Sequence, residues 1–154
     1  MLDRIEQRDL GELPAASAVT ALDELRDLVD ASVLTSAVAD GGADGQRHRR
    51  RLRGETVLGP DLLRVEVSSV VRRQLLSGSL SAEQANAAIE DLLAFPVDVR
   101  PTAPLLARAW ELRANLTSSD ACYVALAEAT DLPLVTADRR LAGAPGIRCA
   151  VELC

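Results

Sequence analysis

Residues 115–129 read Asn-Leu-Thr-Ser-Ser-Asp-Ala-Cys-Tyr-Val-Ala-Leu-Ala-Glu-Ala, and residues 134–138 read Leu-Val-Thr-Ala-Asp. In the first segment, hydroxyl side chains lead into an acid and then into an apolar, alanine-rich helix. Ser118 or Ser119 suits the N-cap, which places Asp120 in the first turn, where the helix dipole favours a carboxylate. In the second segment, Leu132 to Val135 predicts a buried parallel strand, and Asp138 lies just beyond its carboxyl end. Ligands of open α/β sheets bind at that edge.

Two further acids stand in comparable places. Asp30 ends a short apolar run in Val29-Asp30-Ala31-Ser32-Val33-Leu34, and Glu66 interrupts the apolar helical stretch Leu62-Leu63-Arg64-Val65-Glu66-Val67. If the four acids converge, their mutual repulsion favours a divalent cation over an empty site. Carboxylates without His or Cys suit Mg²⁺ or Mn²⁺. Such ions activate water and stabilise the leaving oxygen in phosphodiester hydrolysis, which is the predicted chemistry.

The rest of the chain predicts strands alternating with helices, and therefore a parallel α/β sheet. We expect a first strand from Leu28 to Leu34, with helices over 61–77, over 81–94 and from Thr102. The apolar face of the helix over 61–77 is expected to be formed by Leu62, Val65, Val70 and Leu76. Trp110 falls at helical spacing with Leu106, which predicts core packing.

Composition excludes several classes of protein. The net charge is −6, and all seventeen basic residues are Arg. Without Lys there is no Walker A loop and no pyridoxal Schiff base, and no G-x-G-x-x-G motif follows a strand. His48, the single histidine, lies among arginines and is expected to be exposed, which argues against histidine triads and histidine-based zinc sites. Three cysteines without zinc spacing, no signal-peptide pattern and no long apolar run predict a reduced, cytoplasmic protein outside the membrane.

A basic run extends from Arg47 to Arg53. It is typical of a solvated helix face, and it could equally form a patch that contacts phosphates. Both readings stay open, and the second makes Arg49, Arg50, Arg51 and Arg53 the candidates for RNA contact.

The quoted segments resemble PIN-domain ribonucleases, specifically the toxins of VapBC toxin–antitoxin pairs. The motifs that carry the resemblance are the segment around Asp30, Glu66 in its apolar helix, residues 115–127, and Leu134-Val135-Thr136-Ala137-Asp138-Arg139-Arg140-Leu141. They occur in family order from about Leu28 to the C-terminus. Nearly thirty residues precede the first strand, whereas toxins of this kind usually begin within a few residues of it.

The resemblance implies a three-layer α/β/α fold with a central, mostly parallel sheet. It implies that Asp30, Glu66, Asp120 and Asp138 are the catalytic, metal-binding acids, with Ser32 and Thr136 in supporting positions. It further implies an Mg²⁺- or Mn²⁺-dependent endoribonuclease that cuts tRNA or rRNA, forms a homodimer and is inhibited by a cognate antitoxin.

The expected organisation is an N-terminal extension of unknown role over 1–27 and a PIN-like nuclease domain over 28–154. Two other functions stay open. One is a catalytically silent PIN-like module that binds a protein partner or RNA. The other, a metal-dependent phosphatase or phosphotransfer receiver, is disfavoured because a receiver needs a Lys near its phosphorylated Asp.

Overall fold

The computed structural model describes residues 27–154. The expected N-terminal extension over 1–27 lies outside the described residues except for Asp27. Asp27 belongs to the folded body, because its carboxylate is buried and lies 2.6 Å from the Arg51 guanidinium.

Strands and helices alternate along the described chain. The strands are β1 (Leu28–Val29), β2 (Val57–Pro60), β3 (Val97–Arg100), β4 (Leu134–Thr136) and β5 (Val151–Leu153). The helices are α1 (Ala31–Ala39), α2 (Ala43–Arg51), α3 (Leu63–Leu76), α4 (Ala82–Ala94), α5 (Leu106–Glu111), α6 (Ser118–Thr130) and α7 (Arg139–Ala142). A 3₁₀ turn, Ala103–Leu105, precedes α5.

The strands form one parallel sheet in the order β3-β2-β1-β4-β5. The chain builds outward from β1 to β3, then returns to the other side of β1 for β4 and β5. The order therefore reverses between β1 and β4, where Leu28 pairs with Leu134 and Val29 with Val135. A reversal of this kind opens a crevice at the carboxyl ends of the two strands.

Helices cover the sheet in two groups. Helices α1 to α4 pack on one another, while α5 packs on α6, and α6 lies against β1, β2 and β4. The chain crosses the sheet in one direction from β1 to β3 and in the opposite direction from β3 to β5. Right-handed crossover connections therefore place the two groups of helices on opposite faces. The seven residues from Ala121 to Ala127 are all buried, which explains why α6 is rich in alanine and small apolar side chains. The predicted three-layer α/β/α fold is confirmed, and the sheet is entirely parallel.

The first strand is shorter than predicted. It ends at Val29, and residues 31–34 form the first turn of α1 instead of continuing the strand to Leu34. The reason is Asp30, whose Oδ1 accepts hydrogen bonds from the backbone N–H groups of Ser32 and Val33. An N-cap of this kind starts a helix even where β-branched residues follow.

The predicted apolar face of α3 was wrong at two of its four residues, whereas Leu62 packs half-buried against the core. Leu63, Val67 and Val71 are its buried residues, whereas Val65 and Leu76 are exposed. Apolar residues occur on both the buried and the exposed face of this helix. Periodicity alone therefore could not identify which stripe faces the core.

The expected environments of Trp110 and His48 were also wrong. Trp110 is 67% exposed, with the Arg113 guanidinium 5.1 Å from its ring centroid. His48 is buried, because Gly45 and His48 form the inward face of α2 while the arginines point outward. Its Nε2 lies 3.4 Å from Sγ of Cys154.

Other local predictions were correct. The helix expected over 81–94 is α4, which begins with a capping box formed by Ser81 and Gln84, and Asp120 lies in the first turn of α6 as predicted. The N-cap predicted for α6 was wrong, because the cap is Thr117, which lies one residue before the two serines proposed for it. Among the described residues, no helix has the length and apolar character needed to cross a membrane.

The elbow between α1 and α2 leaves no room for a side chain at Gly45. A Cβ there would lie 1.9 Å from the backbone oxygen of Asp40, whereas a Cβ at Gly41 would meet no atom within 4 Å. We expect Gly45→Ala to lower the free energy of unfolding by about 2 kcal/mol through overpacking. Gly41→Ala, in the same elbow, is the matched control and should change it by less than about 0.5 kcal/mol. Urea unfolding of both variants measures the difference, and equal stabilities would contradict the close approach.

Candidate active site

Asp30 lies at the end of β1 and is the most enclosed of the four acids. Its Oδ1 accepts hydrogen bonds from the Ser32 hydroxyl and from two backbone N–H groups of α1. Its Oδ2 accepts a 2.7 Å hydrogen bond from the Thr136 hydroxyl at the end of β4. Ser32 and Thr136 therefore hold this carboxylate from both sides of the crevice.

The same two hydroxyls place the chain that follows β4. The backbone N–H of Ala137 donates to Ser32 Oγ at 3.0 Å, and that of Asp138 donates to Thr136 Oγ1 at 2.9 Å. Asp138 then caps α7, accepting from the backbone N–H of Arg140. Its carboxylate also forms an ion pair with the Arg140 guanidinium, with Oδ2 3.1 Å from Nη2.

Asp120 projects from the first turn of α6. The Thr117 side chain accepts from the backbone N–H of Asp120 at 3.2 Å and donates from its hydroxyl to the Asp120 carboxylate at 2.7 Å. The cap of the helix thus also fixes the acid. Because α6 precedes β4, the start of α6 lies at the same sheet edge as the end of β4.

Glu66 lies in the first turn of α3 and is partly buried. Its Oε2 accepts a 2.6 Å hydrogen bond from the hydroxyl of Tyr123 on α6. This contact joins helices from opposite sides of the sheet at its carboxyl edge, and it accounts for a charged side chain within an apolar helix.

The four acids lie close enough together to act on two shared side chains, Tyr123 and Arg140. Burial, the hydrogen bond to Glu66, and the charges of Glu66, Asp30 and Asp120 together raise the pKa of Tyr123 well above its ordinary value. The hydrogen bond and charge of Asp138, with a smaller contribution from Asp120, raise the pKa of Arg140. Asp120 and Asp138 also line one groove, which has a volume of about 600 Å³. The four acids therefore occupy one region.

The carboxylates differ in protonation behaviour. Burial raises the pKa of Asp30 above its ordinary 3.8, although the hydrogen bonds from Ser32, Thr136 and Val33 act in the opposite direction. The hydrogen bond from Arg140 lowers the pKa of Asp138. The buried acid thus carries a desolvation cost that a cation beside it would offset.

The four acids match a hard metal ion in chemical type but not in their present arrangement. Four carboxylates without His or Cys are the hard oxygen donors that Mg²⁺ and Mn²⁺ prefer. Within residues 27–154, however, no three His, Cys, Asp or Glu side chains are arranged to hold a metal ion. Asp30 and Glu66 are turned to hydroxyl partners, and Asp138 to Arg140. The residues fit a hard cation in chemical type, and assembling them around one ion requires side-chain rotation.

The basic run divides into two kinds of residue. Arg49 donates to the carbonyl oxygens of Ala37 and Asp40 at the end of α1, and Arg51 pairs with Asp27 and Glu152. These two arginines stabilise the fold. Arg50 and Arg53 are exposed. They remain the stronger candidates of the run for contact with RNA.

Sequence reasoning missed three residues of the site. Thr117 and Tyr123 hold acids, and Arg140 pairs with one. The spacing Thr117-x-x-Asp120 could have indicated the first, because a capping side chain reaches the third residue of a helix. Tyr123 gave a weaker signal as a lone aromatic one turn after Asp120. Nothing in the sequence distinguished Arg140 from Arg139.

Residues 28–147 match the family model for the PIN domain. Ribonuclease VapC1 of Mycobacterium tuberculosis H37Rv is 44% identical over 128 residues, which cover 82% of this chain and 96% of the relative. Ribonuclease VapC12 of the same strain is 39% identical over 104 residues, 68% of this chain and 81% of the relative. The chain belongs to the PIN-domain family. Within that family it belongs with the VapC ribonucleases.

Solved PIN-domain structures share the fold. PAE2754 from Pyrobaculum aerophilum superposes with a TM-score of 0.63 at 26% identity, covering 84% of this chain and 85% of that one. M. tuberculosis VapC20, described as a toxin that cleaves the sarcin–ricin loop, gives 0.60 at 18% identity, covering 79% and 96%. VapBC2 from Rickettsia felis, solved with a promoter DNA fragment, gives 0.59 at 16%, covering 84% and 98%.

The raised pKa of Asp30 makes the stability of this PIN domain depend on pH. The folded state holds this proton more tightly than the unfolded state, so Asp30 favours folding below pH 3.8. That contribution is lost as pH rises from 3.8 through the folded-state pKa. We expect Asp30→Asn, which keeps the shape but cannot ionise, to lose less stability than wild type between pH 4 and pH 7. Urea unfolding in EDTA across this range measures the difference, and parallel profiles would contradict the burial cost.

Proposed function

We propose that this protein is a divalent-metal-dependent endoribonuclease that hydrolyses RNA phosphodiester bonds, and the toxin of a type II toxin–antitoxin pair. One observation carries the proposal. Asp30, Glu66, Asp120 and Asp138 come from four separate segments to the carboxyl edge of a parallel sheet, and two of them line one groove. The VapC ribonucleases that resemble this chain support the same chemistry.

In this proposal the hydroxyl residues position the acids. Ser32 and Thr136 fix Asp30, Thr117 fixes Asp120 and Tyr123 fixes Glu66. Each hydroxyl donates a hydrogen bond to a carboxylate oxygen and leaves the negative charge in place. Asp30, Glu66, Asp120 and Asp138 would hold Mg²⁺ or Mn²⁺ through the remaining lone pairs. When bound, such an ion polarises the phosphoryl oxygen and lowers the pKa of an attacking water.

The proposed partners follow from the same assignment. The RNA substrate is a tRNA or rRNA, so the protein acts in the cytoplasm. A cognate antitoxin inhibits the nuclease, and two copies of the chain form a homodimer. Exposed apolar side chains, among them Leu106 and Trp110 on α5, provide surface of the type that such contacts bury.

A second candidate function is the catalytically silent PIN-like module that binds a partner or RNA. It is favoured by one observation, the lack within 27–154 of three acidic side chains already arranged for a metal ion. The two functions differ in whether the protein binds divalent metal and cleaves RNA.

Asp120→Asn tests the nuclease. It keeps the size of the side chain but removes a charge that the proposed ion needs. We expect cleavage of total bacterial RNA in Mg²⁺ or Mn²⁺ to fall by about 100-fold or more, as for loss of a few kcal/mol of transition-state stabilisation. Wild-type cleavage should stop in EDTA.

The matched control is Asp131→Asn. Asp131 lies at the opposite end of α6, where its backbone is left-handed (φ 55°), a conformation that Asn also tolerates. This variant should cleave RNA like wild type. Equal cleavage by the Asp120 and Asp131 variants would exclude the site, and a wild type that neither cleaves RNA nor binds metal would favour the silent module.

Arg140→Ala tests the metal site without relying on activity. Arg140 holds Asp138 in an ion pair, and it is highly exposed, so the pair is weak. Removing it should free Asp138 and raise the affinity for Mn²⁺ by about two- to fivefold, the range expected for an exposed pair. Titration calorimetry on the purified protein measures this affinity.

Arg139→Ala is the control for this measurement. It removes the same charge from the adjacent exposed position, whereas the ion pair with Asp138 belongs to Arg140. If both variants raise the Mn²⁺ affinity equally, the change reflects net charge and Asp138 is not released by loss of its partner.

A further inference from the structure

The groove lined by Asp120 and Asp138 has a second side that the four acids do not explain. Helices α1 and α3 form this side, and they contribute Thr35, Arg73 and Gln74. Asp40, at the end of α1, also lines the groove, but its carboxylate accepts hydrogen bonds from the backbone N–H groups of Gly42 and Gly45. Arg73, Thr35 and Gln74 are therefore the groups on this side that can contact the rest of a substrate strand.

Arg73 is the cation of this groove. It lies in the last turn of α3 and is exposed, and within residues 27–154 it forms no hydrogen bond or ion pair with another side chain. This distinguishes it from Arg49, Arg51 and Arg108, whose guanidinium groups are engaged by the fold. A guanidinium that has no partner among residues 27–154 and lies beside a carboxylate groove is suited to an anionic group of the substrate, because it can bind phosphate through two N–H groups.

Two polar groups on the same side lack partners. The hydroxyl of Thr35 and Oε1 of Gln74 are both shielded from solvent, and neither has a hydrogen-bond partner in the described chain. Thr35 as a whole is only 7% exposed. A buried polar group without a partner is costly, and such groups concentrate where a ligand or an ordered water completes them.

We propose that Arg73, Thr35 and Gln74 form a subsite for one ribose-phosphate unit of the RNA strand, next to the acids. Arg73 binds the phosphate. Thr35, after rotation of its side chain toward the groove, donates to a phosphate oxygen. Gln74, after rotation of its amide toward the groove, accepts a hydrogen bond through Oε1 from the ribose 2′-hydroxyl. The inference rests on the proposed nuclease function and adds to it the means by which the groove distinguishes RNA from DNA.

The three residues suit a ribose-phosphate unit better than a phosphate alone. A phosphate offers only acceptors, so it can satisfy Arg73 and Thr35 but not an amide oxygen. The 2′-hydroxyl is the donor that RNA has and DNA lacks. Asp120 and Asp138 line the same groove, and the proposed cation there would offset the repulsion between these acids and the backbone of the strand.

The phosphate contact is tested by RNA binding in EDTA, where cleavage is absent. The probe is a short, fluorescein-labelled, single-stranded RNA of mixed sequence, and fluorescence anisotropy gives Kd over a range of NaCl concentrations. We expect Arg73→Ala to raise Kd about fivefold. The slope of log K against log salt should fall in magnitude by about 0.7, the value for one lost phosphate contact in a single strand.

Arg72→Ala is the matched control. Arg72 is the adjacent exposed arginine of α3 and does not line the groove, yet it carries the same charge. For Arg72→Ala, Kd and the slope of log K against log salt should stay near the wild-type values. Arg73→Lys should bind RNA more tightly than Arg73→Ala, because it keeps the positive charge. A thermal melt followed by circular dichroism verifies that each variant is folded.

The 2′-hydroxyl contact is tested with DNA and 2′-O-methyl RNA of the same sequence. Wild type should bind both more weakly than RNA by about threefold to tenfold, as for one lost hydrogen bond. Gln74→Ala should remove most of this preference. The comparison of probes on the wild-type protein needs no variant, so the proposal stays testable if Gln74→Ala does not fold.

Different failures have different meanings. Equal effects of Arg73→Ala and Arg72→Ala overturn the phosphate contact, and equal wild-type affinity for RNA and DNA overturns the ribose contact. In either case the proposed nuclease function still stands if wild type shows metal-dependent cleavage and Asp120→Asn loses it. A wild type that neither binds nor cleaves RNA overturns both the subsite and the proposed function.

Discussion

The hydrogen bonds that hold the Asp30 carboxylate are the constraint on which the site depends. Burial of an ionised carboxylate is expensive unless donors replace its water. Here Ser32, Val33 and Thr136 supply donors from α1 and from β4. One side chain therefore ends β1, starts α1 and ties the two strands at the point where the sheet order reverses. The raised pKa shows that these donors do not fully offset desolvation.

The partners of the acids are mostly hydroxyl groups rather than cations, and that choice has a physical consequence. A guanidinium partner would neutralise a carboxylate and stabilise it permanently. A Ser, Thr or Tyr hydroxyl orients the carboxylate and leaves its charge available to another ligand. Asp30, Glu66 and Asp120 are held in this way, and Asp138 is the exception through Arg140. The site keeps most of its negative potential at the cost of stability, as expected where function and folding compete.

The sequence was most informative where one residue determined both local structure and chemistry. Asp120 in a first helical turn and Asp138 beyond a strand could be placed because caps and strand ends follow local rules. The boundary of β1 was missed because the same Asp30 that marks the site also caps a helix. The outward position of Trp110 and the inward position of His48 depend on which stripe of α5 packs on α6 and which stripe of α2 packs on α1. That is decided by packing between distant segments, so local periodicity could not supply it.

The net charge of −6 raises the question of how such a chain could hold a polyanion. Several arginines are unavailable for the purpose, since Arg51 pairs with Asp27 and Glu152, and Arg108 with Glu111 and Glu128. Long-range attraction can therefore contribute little to RNA affinity, which distinguishes this groove from the basic clefts that bind nucleic acid non-specifically. Recognition would have to come from a few short-range contacts, together with a cation that changes the sign of the potential locally. A site of the proposed kind would bind RNA weakly in general and would favour the strand whose ribose and phosphate groups meet the correct side chains, as selective cleavage requires.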